Sequence, residues 1–204
     1  MAEIKDILDF WFQGVNDAAV IDKKKPPVSL WFAKNDQFDQ DIRDRFGADW
    51  NKAMAGELKD WEKTSEGQLA LIVLLDQFSR NMHRGTPPMF AGDPKALAIT
   101  LRMIDEFKDE EYQLIERCFI YMPLQHAEDI NIQTMSVQCF SDLVEESRQR
   151  APRNTPYYVY SLDYAKKHQV IVDRFGRFPH RNVILGRFST PEEMAFLKKP
   201  GSSF

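Results

Sequence analysis

The run LALIVLL, residues 69–75, is the feature that most constrains the fold of this chain. It is apolar on every side of a helix, and a helix that is hydrophobic all round lies buried inside a protein. The preceding TSE, residues 64–66, offers side chains that begin helices by capping their first N–H groups. The run is far shorter than the roughly 20 residues of a membrane span. It therefore predicts a buried central helix with other helices packed around it.

Helical periodicity continues along most of the chain. Apolar residues recur at three- and four-residue steps in three further segments: Ile4, Leu8, Trp11 and Phe12; Phe38, Ile42, Phe46, Trp50 and Met54; and Tyr157, Tyr160, Tyr164, His168, Ile171 and Phe175. No segment alternates apolar and polar residues for long enough to predict a strand. We expect an all-α fold of roughly seven to nine antiparallel helices, packed as helical hairpins in a single domain over residues 1–204.

Two helix boundaries are suggested by proline. The pair Asp93-Pro94 predicts a helix start, with Asp93 as the N-cap and the proline in the first turn. Pro123 predicts a break between helices at about 110–121 and 126–150, because proline lacks the N–H that continues a helix.

Charge and composition limit the partners of the chain. Hydrophobic residues make up 43% and charged residues 28%, the balance of a soluble globular protein. The net charge of −4 argues against wholesale binding to nucleic acid or anionic membranes. The N-terminal MAEIKDILDFWFQG has acids where a signal peptide carries positive charge, and Cys118 and Cys139 lie in helix-like segments. We expect a cytoplasmic protein with reduced thiols, no cofactor, and no nucleic-acid or membrane partner.

The first polar block, DQFSRNMHR, directly follows the apolar run. Asp76, Arg80 and Arg84 lie four residues apart, so they share one helix face, and Asp76 with Arg80 has the spacing of a helical ion pair. Two interpretations are open. The block is either part of a buried salt-bridge network or the wall of a ligand pocket.

The second block, YMPLQHAED, combines His126 with Glu128 and Asp129. As catalytic groups, His126 would exchange a proton, and Glu128 or Asp129 would orient a histidine. The alternative is structural, because acids in a first turn also suit the helix dipole. A metal would need further ligands such as His168 or His180. Since the sequence has neither an H-E-x-x-H motif nor clustered cysteines and histidines, we predict no metal site.

The third block, RFGRFPHRNVILGR, carries four arginines and a histidine without any acid. Gly176 predicts a helix end, because glycine is common just after the last helical residue. The turn that follows presents Arg177, His180, Arg181 and Asn182. A guanidinium group binds a carboxylate or phosphate through two parallel hydrogen bonds. These arginines are expected to bind either the protein's own acids or a small anionic ligand.

Five segments together resemble an uncharacterised, mainly bacterial family, domain of unknown function 924: LDQFSRNMHRG, FIYMPLQHAED, RFGRFPHRN, LGRFSTPEE and the closing PGSSF. The resemblance extends from FWF near the start to the last residue. It implies an all-α fold of helical hairpins akin to tetratricopeptide-like proteins and brings no established activity. Function has to be argued from the site, because one fold hosts many functions.

Two functional hypotheses follow. The first is a binding site for a small phosphate or carboxylate ligand, with or without catalysis. Its ligand-binding residues would be Asp76, Arg80, Arg84, Arg177, Arg181 and Asn182, and its acid–base residues would be His126 and His180, supported by Glu128 or Asp129. The second is a scaffold for a protein or peptide partner, in which these side chains only hold the helices together. We favour the first, because varied polar residues are concentrated in three blocks. Arginine side chains that are not paired with the protein's own carboxylates would support the first hypothesis.

Overall fold

The computed structural model describes residues 2–203, and within that range the regular secondary structure is entirely helical. The α-helices are α1 (Ile4–Phe12), α2 (Val28–Trp31), α3 (Asp36–Ala55), α4 (Ser65–Ile72), α5 (Ser79–Met82), α6 (Asp93–Asp105), α7 (Leu114–His126), α8 (Ile130–Arg150), α9 (Thr155–Phe175) and α10 (Pro191–Leu197). The prediction of an all-α fold is confirmed. Across residues 2–203, no helix is both long and apolar enough to cross a membrane.

The helix made by the apolar run is central, as the sequence predicts. Thr64 caps α4 by accepting a hydrogen bond from the Gly67 N–H. Helix α4 packs against α1, α6 and α7. Aromatic side chains fill the adjoining core: the ring of Trp11 lies 5.6 Å from that of Phe78 and 5.5 Å from that of Phe119. Burial of this apolar surface supplies the main driving force for folding.

The apolar run ends in a π-helical turn, Val73–Phe78, which joins α4 to α5 and is buried at every position. A π-helical turn has i→i+5 hydrogen bonds, is rare, and occurs frequently at functional sites. This turn places the carboxylate of Asp76 inside the core, where its side chain is 0% exposed.

The predicted break at Pro123 is wrong. Pro123 lies inside α7, and the helix continues to His126. Proline removes one helical hydrogen bond. However, α7 is buried along nearly its whole length, so packing offsets that loss. The actual break falls at residues 127–129, and Asp129 caps α8 by accepting hydrogen bonds from two backbone N–H groups.

The predicted N-cap role of Asp93 is also wrong. Gly92 occupies the N-cap position, and Asp93 is the first residue of α6. A Cβ atom at Gly92 would lie 2.1 Å from the carbonyl oxygen of Leu75, so only glycine lets α6 begin against the π-helical turn. The Asp93 carboxylate is thereby free to bind arginine side chains.

The C-terminal third brings the arginine-rich block onto the same region. Helices α8 and α9, joined by residues 151–154, pack along each other as a hairpin. Gly176 ends α9 with a φ of 69°, a left-handed conformation that favours glycine, and this predicted helix end is confirmed. The following 3₁₀ turn, Pro179–Arg181, contacts α10.

Candidate functional site

Asp76 is the buried centre of a polar cluster. Its Oδ1 lies 2.7 Å from Nδ1 of His126 and 3.1 Å from Nη1 of Arg80, and its Oδ2 accepts from Nε2 of Gln77 at 2.6 Å. Burial opposes ionisation of this carboxyl group, but Arg80 and the hydrogen bonds from His126 and Gln77 lower its pKa to about 2. Asp76 is therefore a carboxylate at neutral pH.

His126, the last residue of α7, is oriented by this carboxylate. A carboxylate only accepts hydrogen bonds, so Nδ1 of His126 carries the proton of the 2.7 Å contact. Burial and the charge of Arg80 lower the pKa of His126, against the opposing effect of Asp76. The ring is neutral at pH 7, and its Nε2 holds the lone pair. Nε2 makes no hydrogen bond within residues 2–203, and the side chain is 15% exposed.

Asp93 joins this group to the arginine-rich block. Arg80 donates to both of its oxygens, from Nη1 at 2.8 Å and from Nη2 at 3.1 Å. Arg181 donates from Nη1 to Oδ2 at 3.2 Å. The structure thus brings together four of the predicted site residues: Asp76, Arg80, His126 and Arg181. The residue that links them is Asp93, for which the sequence predicted only a helix cap.

Arg181 is buried and only partly paired. Its Nε is buried and has no hydrogen-bond partner among the described residues, and its Nη2 makes no hydrogen bond to them either. The guanidinium carbon lies 4.5 Å from the ring centroid of Phe90 and 4.6 Å from that of Phe178, which indicates cation–π contacts. Burial lowers the pKa of Arg181 to about 10, against the charge of Asp93 and with a contribution from Arg80.

Two further histidines adjoin the cluster. His168 donates from Nδ1 to the Tyr164 carbonyl oxygen at 2.8 Å, and its ring lies 6.1 Å from that of His126. Burial, followed by the charge of His126, lowers the pKa of His168 to about 3. Burial and then Arg181 lower the pKa of His180 to about 4. Both rings are neutral at pH 7.

Three of the predicted ligand-binding residues make other contacts. Arg84 binds Asp39 of α3 through Nε at 2.8 Å and Nη2 at 3.0 Å. Arg177 binds Glu193 of α10 through Nε at 2.7 Å and Nη2 at 2.9 Å. The side-chain amide of Asn182 donates to Oγ of Ser189 at 3.0 Å. These contacts tie neighbouring segments together.

The second block is divided between the site and the scaffold. Glu128 accepts from Arg187 at 2.6 and 2.9 Å and from the Phe178 N–H at 2.8 Å, so it fixes the turn after α9. Asp129 binds backbone N–H groups at the start of α8. We expected Glu128 or Asp129 to orient a histidine; for His126, the orienting carboxylate is Asp76, from the first block.

Sequence reasoning missed Asp93, Phe90 and Arg187 as members of this region. Asp93 carried a local helix-cap signal that concealed its role, and Phe90 lies in a short 3₁₀ turn. Arg187 belongs to the arginine-rich block and could have been found there. Within the part of the chain that the structure describes, no group of three or more His, Cys, Asp or Glu side chains is arranged to hold a metal ion.

Comparison with known proteins places the chain in a family. The model of a bacterial protein of unknown function, DUF924, matches residues 7–201. A solved structure, the protein of unknown function ATU0120 from Agrobacterium tumefaciens, is similar with a TM-score of 0.75 and 38% sequence identity, over 96% of each chain. The comparison with curated proteins gives no match. The resemblance expected from the sequence is thereby confirmed, and the chain belongs to the DUF924 family of bacterial proteins.

Proposed function

We propose that this protein binds a small anionic ligand through Arg181, next to the Asp76–His126 pair. The observation that carries the proposal is the incomplete pairing of a buried guanidinium group. Arg181 uses only Nη1 for its carboxylate partner, and its buried Nε has no partner within residues 2–203. Buried polar groups without partners are rare in native proteins, and one of their explanations is a ligand, ion or water that completes the site.

The other arginines of the region provide the contrast. Each has two hydrogen bonds to a single carboxylate, as expected of a purely structural contact. The pairs are Arg80–Asp93, Arg84–Asp39, Arg177–Glu193 and Arg187–Glu128. Arg181 differs because it shares the carboxylate of Asp93 with Arg80. An added anion would therefore find two unused neighbouring donors, Nε and Nη2, at Arg181. Arg187 also has a buried Nε without a partner among the described residues, but both of its Nη groups are bonded to Glu128.

For a reaction, the site offers His126 as the group that exchanges a proton with the bound ligand. A histidine held in one tautomer by a buried carboxylate is a common arrangement for a general base. His180 is a second acid–base candidate, because it directly precedes Arg181 in the chain and its ring lies 5.6 Å from that of Phe178, which contacts Arg181. Glu128 supports the site by fixing the turn that carries Arg181, through the Phe178 N–H and Arg187, whereas the contacts of Asp129 cap α8.

The proposal is tested by titrating acetate and inorganic phosphate, separately, into the wild type by calorimetry. We expect at least one of them to bind and Arg181→Met to weaken that binding by about tenfold or more, because hydrogen bonds to charged groups are worth about 1.5–3 kcal/mol. Arg181→Lys keeps the charge but not the paired donors, so its binding should be intermediate. Arg102→Met is the matched control, since Arg102 lies in α6, the helix that begins with Asp93, and pairs with Glu62 at 2.6 Å. Equal binding by the wild type and Arg181→Met would overturn the proposal.

A scaffold for a protein partner is the second candidate, and one observation favours it. Phe188 is 96% exposed and Val183 is 85% exposed, on the segment between the last 3₁₀ turn and α10. The backbone here is fixed, since Arg177 donates to the Phe188 carbonyl oxygen at 2.9 Å and Arg187 is held by Glu128. A rigid exposed aromatic is typical of an interface anchor. If the partner is a second copy of this chain, the wild type should form a dimer and Phe188→Ser should abolish it. Light scattering of both proteins at rising concentration measures this.

A further inference from the structure

We infer that the ligand is a carboxylate that also carries a hydrogen-bond donor, that is, a hydroxy- or amino-carboxylic acid. Its carboxylate would bind Arg181, and its hydroxyl or amino group would donate to Nε2 of His126. This inference rests on the proposed function and gives it a ligand class.

The Arg181 end of the site offers donors. With Nη1 bonded to Asp93, the Nε–H and an N–H of Nη2 remain on the adjacent edge of the guanidinium group. These two N–H groups are parallel and match the two oxygens of a carboxylate. The contacts with the rings of Phe90 and Phe178 limit rotation of the group, so its donors are held in place before the ligand binds.

The His126 end offers an acceptor. Asp76 is a buried carboxylate, and it accepts the Nδ1 proton of His126 at 2.7 Å. Gln77 and Arg80 also bind Asp76 and hold its carboxylate in place, so a rotated His126 ring would lose its 2.7 Å bond to Asp76. The remaining ring nitrogen, Nε2, consequently presents a lone pair. A ligand group that bonds to it has to be a donor.

The two ends belong to one cluster. Asp93 and Arg80 connect Arg181 to Asp76, which binds His126. On the other side, the ring of His168 lies 6.1 Å from that of His126 and 5.5 Å from that of Phe178, whose ring contacts Arg181. A small molecule that occupied this region would meet donors from Arg181 and an acceptor from His126.

The charges of the cluster favour a carboxylate over a phosphate. The positive side chains Arg80, Arg181 and Arg187 are balanced by the negative side chains Asp76, Asp93 and Glu128. Since the neighbouring histidines are neutral, a dianionic phosphate would leave two uncompensated charges near buried groups, which is costly. A hydroxy acid adds one negative charge, and an amino acid in its zwitterionic form adds none.

The test compares matched acids on the wild type: acetate with glycolate, propionate with 3-hydroxypropionate, and butyrate with 4-hydroxybutyrate and 4-aminobutyrate. Inorganic phosphate is titrated in parallel. We expect at least one hydroxy or amino acid to bind about fivefold more tightly than its parent acid, the effect of one added hydrogen bond, and more tightly than phosphate. In His126→Phe the members of that pair should bind equally, whereas Arg181→Met should weaken both.

The outcomes separate this inference from the proposed function. Equal binding within every pair of acids, or tighter binding of phosphate, would overturn the inference about the ligand class. If that binding still depended on Arg181, the proposed function would stand. Failure of all these anions to bind would overturn both. A long-range ¹H–¹⁵N spectrum of the wild type provides a test without substitution. We expect Nδ1 of His126 to be protonated and Nε2 to be unprotonated, and the opposite tautomer would contradict the inferred binding mode.

Discussion

Arg181 and Arg80 donate to the same oxygen of Asp93, at 3.2 Å and 3.1 Å respectively. Arg80 also binds the other oxygen of Asp93 at 2.8 Å, so it satisfies this carboxylate without help from Arg181. The two arginines therefore have different roles despite their shared partner. Arg80 holds the network together, whereas Arg181 is a buried cation with spare hydrogen-bonding capacity.

Arg80→Met is expected to destabilise the protein strongly. The substitution removes the arginine partner of the fully buried Asp76 and the main partner of Asp93. Loss of one partner from a buried ion network costs about 3–5 kcal/mol. For a chain of this size, the melting temperature should fall by about 10 °C, measured by circular dichroism. As a control, Arg102→Met removes a more exposed pair with Glu62 and should cost less than about 1 kcal/mol. Equal losses in the two variants would contradict the central place given to Arg80.

Gly92→Ala tests the contact between α6 and the π-helical turn. The added methyl group would overlap the Leu75 carbonyl oxygen, 2.1 Å away, so backbone has to move. Overpacking of this kind costs about 1–3 kcal/mol or more. Gly47→Ala is the matched substitution in α3, where a Cβ atom meets nothing within 4 Å, and it should stabilise the protein by about 0.5–1 kcal/mol. Urea denaturation of both variants measures the difference, and effects of the same sign would show that α6 does not depend on this contact.

The pH dependence of stability should reveal the buried neutral histidines. An unfolded histidine binds a proton below a pH of about 6.5, whereas burial and the charge of His126 lower the pKa of folded His168 to about 3. Only the unfolded state gains this proton between the two values, so the free energy of unfolding falls as the pH drops below about 6.5. His168→Gln should make the free energy of unfolding, measured by urea denaturation, depend less steeply on pH between about pH 7 and pH 5. An unchanged slope would mean that His168 is protonated in the folded protein.

Asp129→Ala distinguishes a helix cap from a catalytic acid. Asp129 accepts hydrogen bonds from the Asn131 N–H at 2.8 Å and the Ile132 N–H at 3.1 Å. Its loss should reduce stability by about 1 kcal/mol and the melting temperature by about 2–4 °C. Asn also caps helices well, so Asp129→Asn should retain most of the stability. Binding of anions should be unchanged in both variants; weakened binding in Asp129→Asn would instead assign this carboxylate to the site.

Local signals in the sequence predicted the helices correctly wherever the structure depends on a single short-range interaction. The apolar run, the Thr64 cap and Gly176 each act within a few residues, and the structure confirms them. Pro123 misled because the burial of α7 outweighs the loss of one backbone hydrogen bond.

The site was harder to predict because it depends on distant pairing. Asp76 and His126 are 50 residues apart, and Asp93 and Arg181 are 88 residues apart. The residue types in the three blocks indicated charged contacts but not which arginine would pair with which acid. Asp39 forms an ion pair with Arg84, and Glu193 forms one with Arg177. Nothing in the local sequence of either acid identified it as the partner.

The most direct test of the account is the melting temperature of Arg181→Met and the wild type, each with and without saturating acetate or 4-hydroxybutyrate. Removal of Arg181 takes away a desolvated cation whose partner Asp93 keeps Arg80. We predict that the ligand-free variant melts at or above the wild-type temperature, and that the carboxylates raise only the wild-type value. A variant that melts about 10 °C lower, together with a wild type that does not respond to either carboxylate, would show that Arg181 is a structural ion-pair partner and would contradict the account.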